Sequence, residues 1–106
     1  MKLLWRISSV LRNQIRRLPP DLKRQVREAI DDVLKNPEAG KSLSEDLAGY
    51  RSYRIGRYRL VYRIESDRLV LEAIGPRSDI YERLVLEIGR AKIRERSAKY
   101  KTLKKR

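Results

Sequence analysis

The chain has 106 residues with no cysteine and no histidine, and its 27 Lys and Arg against 14 Asp and Glu give a formal net charge of +13. That length holds one domain with one modest core, while the two missing residue types exclude disulfides, thiolate metal sites and the usual general base. The charge favours a polyanion as partner, with RNA, DNA, the ribosome, an acidic protein or an anionic membrane as candidates.

Leu3, Trp5 and Ile7 alternate with Leu4, Arg6 and Ser8, which predicts a short first strand with Trp5 as a core anchor. Ser8 or Ser9 then caps a helix whose apolar positions Leu11, Ile15 and Leu18 recur at helical spacing. Pro19-Pro20-Asp21 breaks it and opens a second helix, since proline is tolerated in a first turn and Asp21 favours the positive end of the helix dipole. Leu22, Val26, Ala29, Ile30, Val33 and Leu34 form its core stripe, and Asn36-Pro37 ends it. Glu38 to Gly49 loses periodicity and reads as a surface loop.

Three strands follow, over Tyr50–Ile55, Tyr58–Glu65 and Arg68–Ile74, joined by the two-residue turns Gly56-Arg57 and Ser66-Asp67. Connections this short predict an antiparallel meander. A last helix opens at Ser78 or Asp79 with Ile80, Leu84 and Ile88 in register. Arg90 to Arg106 carries nine basic residues against Glu95 alone, and Ala91 to Arg106 reads as an arm that is mobile until bound. The expected organisation is an α+β domain over residues 1–90, built as a strand, a helical hairpin and a meander in one sheet with a C-terminal helix, followed by a basic extension over 91–106. The apolar run at the N-terminus is too short for a signal peptide, and nothing approaches the ~20 apolar residues of a membrane span. A soluble cytoplasmic protein without a membrane partner is the expectation.

Strand alternation divides the meander into two faces. Tyr53, Ile55, Tyr58, Leu60, Tyr62 and Ile64 share one, with Tyr58 and Tyr62 read as core. Ser52 and Arg54, then Arg57, Arg59, Val61 and Arg63, share the other. Guanidinium groups set side by side suit phosphate, because each offers a planar fork of donors at a permanent charge. The plain alternative is a solvated face whose arginines pair with Glu65, Asp67 or Glu72.

The block Arg54-Ile55-Gly56-Arg57-Tyr58-Arg59, inside the run from Leu47 to Tyr62, and the later block Ile74-Gly75-Pro76-Arg77-Ser78-Asp79-Ile80-Tyr81 resemble two motifs of the RelE/ParE toxin superfamily of toxin–antitoxin systems. The resemblance covers residues 1–90. For RelE-like members it implies a ribosome-dependent endoribonuclease that cleaves mRNA without metal or other cofactor, by attack of a ribose 2′-hydroxyl on the adjacent phosphate. It implies Arg54, Arg59, Arg77 and Tyr81 as catalytic residues, and mRNA, the ribosome and a cognate antitoxin as partners. Arg51, Ser52, Arg57 and Arg63 on the sheet, with Lys99, Lys101, Lys104, Lys105 and Arg106 in the tail, are the expected RNA contacts. Two positions depart from the pattern: Ser52 stands where many RelE-like nucleases have a basic residue, and Pro76 where many have histidine. A ParE-like toxin acting on DNA gyrase, and a non-catalytic RNA-binding module, therefore stay open as alternatives.

Overall fold

A computed structural model describes residues 4–76 and 79–89. Five strands form one sheet in the order β1-β5-β4-β3-β2. They are β1 (Leu4–Ile7), β2 (Lys41–Ser42), β3 (Tyr50–Ile55), β4 (Tyr58–Glu65) and β5 (Arg68–Pro76). Helices α1 (Ser9–Arg16) and α2 (Pro20–Lys35) cover one face, and α3 (79–89) packs on the other. The expected α+β architecture is present, and the meander is antiparallel throughout. β1 pairs with β5 in parallel. Among the described residues no helix is long and apolar enough to cross a membrane.

The helices begin and end where local chemistry dictates. The Leu11 N–H donates to Ser8 Oγ at 3.0 Å, capping α1. Pro20 opens α2 with Asp21 in its first turn and Lys35 in its last, both matched to the dipole. Gly56, with φ of +56°, takes the left-handed conformation that a tight β3–β4 turn demands.

β5 is buried on both faces and carries a bulge. Its register with β4 runs Tyr62↔Leu71 and then Val61↔Ala73, so Glu72 is an extra residue. The insertion reverses the alternation: Leu69 and Leu71 face the helices before it, and Ile74 does so after it. Val61 and Ala73 thereby join Leu47, Ile80 and Leu84 in a second core under α3. α1 satisfies the backbone that the bulge frees. Ser8 N–H donates to the Leu71 carbonyl at 2.9 Å, and Ser8 Oγ donates to the Glu72 carbonyl. Beyond the end of β1, the Gln14 side chain stands in for a neighbouring strand. Its Nε2 donates to the Ile74 carbonyl at 2.8 Å, and its Oε1 accepts from the Ile74 N–H at 2.9 Å.

Three expectations change. Trp5 is 50% exposed rather than a core anchor, because it lies opposite Leu69 on the edge strand while α1 begins only at the level of Leu71. Ile64, at the far end of β4, is likewise exposed. The segment 38–49 is not wholly loop, since Lys41–Ser42 pairs with Arg51–Ser52 and a 3-10 turn spans Glu45–Leu47.

Tyr62 locks this segment to the sheet. Its hydroxyl donates to the Pro37 carbonyl at 2.6 Å and accepts from the Gly40 N–H at 2.9 Å. Position 40 must be glycine, because a Cβ there would lie 2.5 Å from that hydroxyl oxygen. Burial raises the Tyr62 phenol above its ordinary value, only partly offset by the Gly40 hydrogen bond and by Arg51. The folded state therefore holds the phenolic proton more tightly than the unfolded state, and this stabilisation is complete below the ordinary tyrosine value and lost as pH rises past it. Tyr62→Phe should cost about 1–3 kcal/mol at pH 7, because two backbone groups lose their partner. In urea melts the gap between wild type and Tyr62→Phe should narrow above pH ~10, where only the wild type titrates at this position.

Candidate functional site

The β3–β4 hairpin places Arg54 and Arg59 directly opposite each other. With Gly56 and Arg57 they line an open recess of about 480 Å³ at the hairpin end. Arg54 is exposed and Arg59 half-buried. Among the described acids none pairs with Arg54, Arg57 or Arg59. Arg54 Nε donates only to the Gly56 carbonyl, at 3.3 Å. Like charges held on rigid strands without counter-charges repel one another, and a bound phosphate relieves that repulsion.

Arg63 shares this face and has a different fate. It pairs with Glu65, its Nε lies 3.8 Å from Glu72 Oε1, and its guanidinium sits 6.0 Å from the centre of the Tyr50 ring. Burial raises the Glu72 carboxyl above its usual range, against the opposing pull of Arg63 and Arg6. Burial and the nearby Glu72 likewise raise the Tyr50 phenol. These groups floor a larger cleft of about 800 Å³ between α1 and α3, walled by Val10, Leu84, Leu86 and Ile88. Its charges are compensated, so the unpaired cationic site is the smaller recess. The plain alternative of surface pairing thus describes Arg63 and does not describe Arg54 or Arg59.

α3 brings Tyr81 to the same face. Gly75, next to last in β5, lies opposite Arg59, and Ile80 packs onto it so closely that a Cβ at position 75 would lie 3.3 Å from Ile80 Cδ1. That seat sets the next residue, Tyr81, over β3, where its hydroxyl lies 2.9 Å from Ser52 Oγ. Ser52 is 4% exposed, and it shares a strand face with Arg54, about 7 Å along β3. A buried hydroxyl needs a partner, and here the two hydroxyls satisfy each other.

The predicted residues therefore separate into groups. Arg54, Arg57 and Arg59 come together at the hairpin end, and Ser52 and Tyr81 pair beside them. Arg51 points to the opposite side, where its Nη1 donates to the Gly40 carbonyl at 2.8 Å and the Glu38 carbonyl at 3.4 Å, tying down the 36–40 turn. Arg77, with Lys99, Lys101, Lys104, Lys105 and Arg106 of the basic extension, lies outside the described residues. Sequence reading missed Gly75 as the seat of α3, since a glycine before a proline signals only a strand end. It also read Ser52 as an RNA contact without its partner, which is 29 residues away.

The family description "ParE toxin of type II toxin-antitoxin system, parDE" matches residues 7–81. Toxin RelG of Mycobacterium tuberculosis is 38% identical over 82 residues, which span 74% of this chain and 94% of that protein. The RelBE2 toxin–antitoxin complex of the same organism superposes with a TM-score of 0.65 at 33% identity, covering 73% of this chain and all of the matched one. The isolated Escherichia coli RelE toxin shares the fold, with a TM-score of 0.60 at 21% identity over 81% of this chain and 98% of its own. Motifs, topology and relatives agree: the chain belongs to the RelE/ParE superfamily of toxins of type II toxin–antitoxin systems.

Proposed function

We propose that this toxin is a ribosome-dependent endoribonuclease that cuts mRNA by attack of a ribose 2′-hydroxyl on the adjacent phosphate, and that a cognate antitoxin silences it. The observation that carries this reading is the placement of Arg54 and Arg59 across one hairpin, unpaired with any acid among the described residues, beside a phenol fixed by Ser52. As the 2′-oxygen–phosphorus bond forms, the 2′-hydroxyl proton passes to solvent water and negative charge gathers on the non-bridging phosphate oxygens; as the phosphorus–5′-oxygen bond breaks, the departing oxygen needs a proton. Arg54 and Arg59 clamp the phosphate and stabilise that charge. Arg77, which follows β5 in the sequence, is assigned as the third cation.

Tyr81 is assigned the proton transfer. With no histidine in the chain and arginine unable to give up its proton in this range, its phenol is the group at these positions that carries a transferable one. The direction of its hydrogen bond with Ser52 matters. When Ser52 donates to the Tyr81 oxygen, the phenolic proton stays free for the leaving oxygen.

A ParE-like toxin that acts on DNA gyrase is the second reading, favoured by the ParE description of the matching family and by Ser52 and Pro76 in place of a basic residue and histidine. Primer extension on mRNA with purified ribosomes separates the two. Ribosome-dependent cuts support the nuclease, whereas intact mRNA together with gyrase-linked DNA breaks selects the other.

In that assay Arg59→Ala should lower cleavage roughly a hundredfold or more. Its melting temperature should be unchanged or higher, because a like-charge contact is relieved. Ser52→Ala should cost roughly tenfold, the value of one neutral hydrogen bond. Tyr81→Phe should cost on the order of a hundredfold. The double substitution should be no worse than Tyr81→Phe alone, since both act through the same hydroxyl.

A further inference from the structure

A second cationic surface lies at the same end of the sheet, on the opposite layer. α1 runs alongside β5 in the same direction, with Ser8 at Leu71 and Gln14 at Ile74. Its last residues therefore reach the level of Pro76, which pairs with Tyr58 at the start of the hairpin strand β4. α2 returns from there: the Tyr53 hydroxyl donates to Asp32 at 3.0 Å, and the Tyr62 hydroxyl reaches Pro37 at the far end. At ~1.5 Å per helical residue and ~3.3 Å per strand residue, Lys23 and Arg24 fall level with the Gly56-Arg57 turn. The corner between α1 and α2 thus overhangs the hairpin end and presents Arg16, Arg17, Lys23, Arg24 and Arg27. Asp21 is the one acid among residues 16–27, and it makes a single exposed pair with Arg24 at 3.7 Å. Such a pair neutralises little. The other acids of α2 lie further along the helix, Glu28 one turn past Arg24 and Asp31 and Asp32 beyond it.

We infer that the α1–α2 corner is a second phosphate-backbone contact, for structured RNA lying beside the substrate strand. A strand whose reacting phosphate sits between Arg54 and Arg59 runs over the α3 side of the sheet, and the corner belongs to the helical layer on the other side. One single strand does not cover both without doubling back around the hairpin. A separate RNA segment covers the corner directly, and on the ribosome-dependent reading above, on which this inference rests, that segment is ribosomal RNA. Arg16, in the last turn of α1, and Arg17, its C-cap residue, are exposed at the negative end of the helix dipole, which favours their charge without a carboxylate. Their donors stay available.

The test is binding of the full chain to purified ribosomes over a salt series, for wild type and for the triple variant Arg16→Gln/Arg17→Gln/Arg24→Gln. Loss of three phosphate contacts should weaken binding roughly tenfold or more near 100 mM salt and lower the slope of log K against log salt by about two to three. Cleavage at saturating ribosome concentration should stay at the wild-type level, so the loss appears in KM and not in kcat. Unchanged affinity and slope in the triple variant, or failure of the wild type to bind ribosomes, overturns the inference. So does a variant that binds ribosomes normally but has lost affinity for its antitoxin, which would make the corner a protein contact. Wild-type protein that binds ribosomes with the predicted salt dependence but leaves mRNA intact overturns the nuclease reading and leaves the corner standing. Circular dichroism melts of the variant confirm that the comparison is between folded proteins.

Discussion

The extra residue in β5 governs the rest of the structure. A strand covered on both faces has no solvent side to receive its polar backbone, so each donor and acceptor needs a partner within the protein. Pairing with β4 and β1 supplies most of them, and Ser8 and Gln14 supply those the bulge and the short first strand leave open. The same bulge shifts the phase of the strand, so that Ile74 serves the helical core while Ala73 and Gly75 present a low surface on the other side. α3 settles onto that surface, and its position carries Tyr81 to Ser52. Local backbone accounting in one strand thus ends in the placement of a hydroxyl on the other side of the sheet.

The candidate site owes its charge to what is missing around it. Arg63 lies on the same strand face as Arg59 and is held by Glu65 and Glu72, so its charge is already spoken for. Arg54 and Arg59 sit farther toward the turn, beyond the reach of those carboxylates, and a two-residue connection leaves little freedom to move apart. Cations held in this way can meet an anion without first giving up an ion pair. The repulsion it stores is tolerable because the hairpin is anchored elsewhere, through Ile55, Leu60 and Tyr62 in the main core.

Features set by neighbours in the chain were legible in the sequence. Ser8, Pro20 and Asn36 mark helix ends through their own chemistry, and Gly56 marks the turn that puts Arg54 opposite Arg59. Alternation was readable in β3 and β4, which are apolar on one side and polar on much of the other. It failed in β5, where burial on both faces leaves a run from Leu69 to Gly75 with no period to expose the bulge. β2 was invisible because two residues carry no period at all. Trp5 was misread because its exposure depends on where a helix begins over a different strand. The Ser52–Tyr81 contact joins residues distant in sequence, and neither residue announces the other. Arg51 and Arg54 look alike as letters, yet the odd spacing between them sends one to a structural turn and the other to the recess.

The parallel pairing of β1 with β5 has a consequence for how the protein comes into being. Leu4 meets Arg68 and Ser8 meets Glu72, each a partner 64 residues downstream. During synthesis the first strand and the cap of α1 must wait until that stretch has emerged, since their contacts are non-local and close late. The surface on which α3 and Tyr81 rest forms in the same event. A nascent chain therefore stays without the assembled candidate site until translation has passed β5.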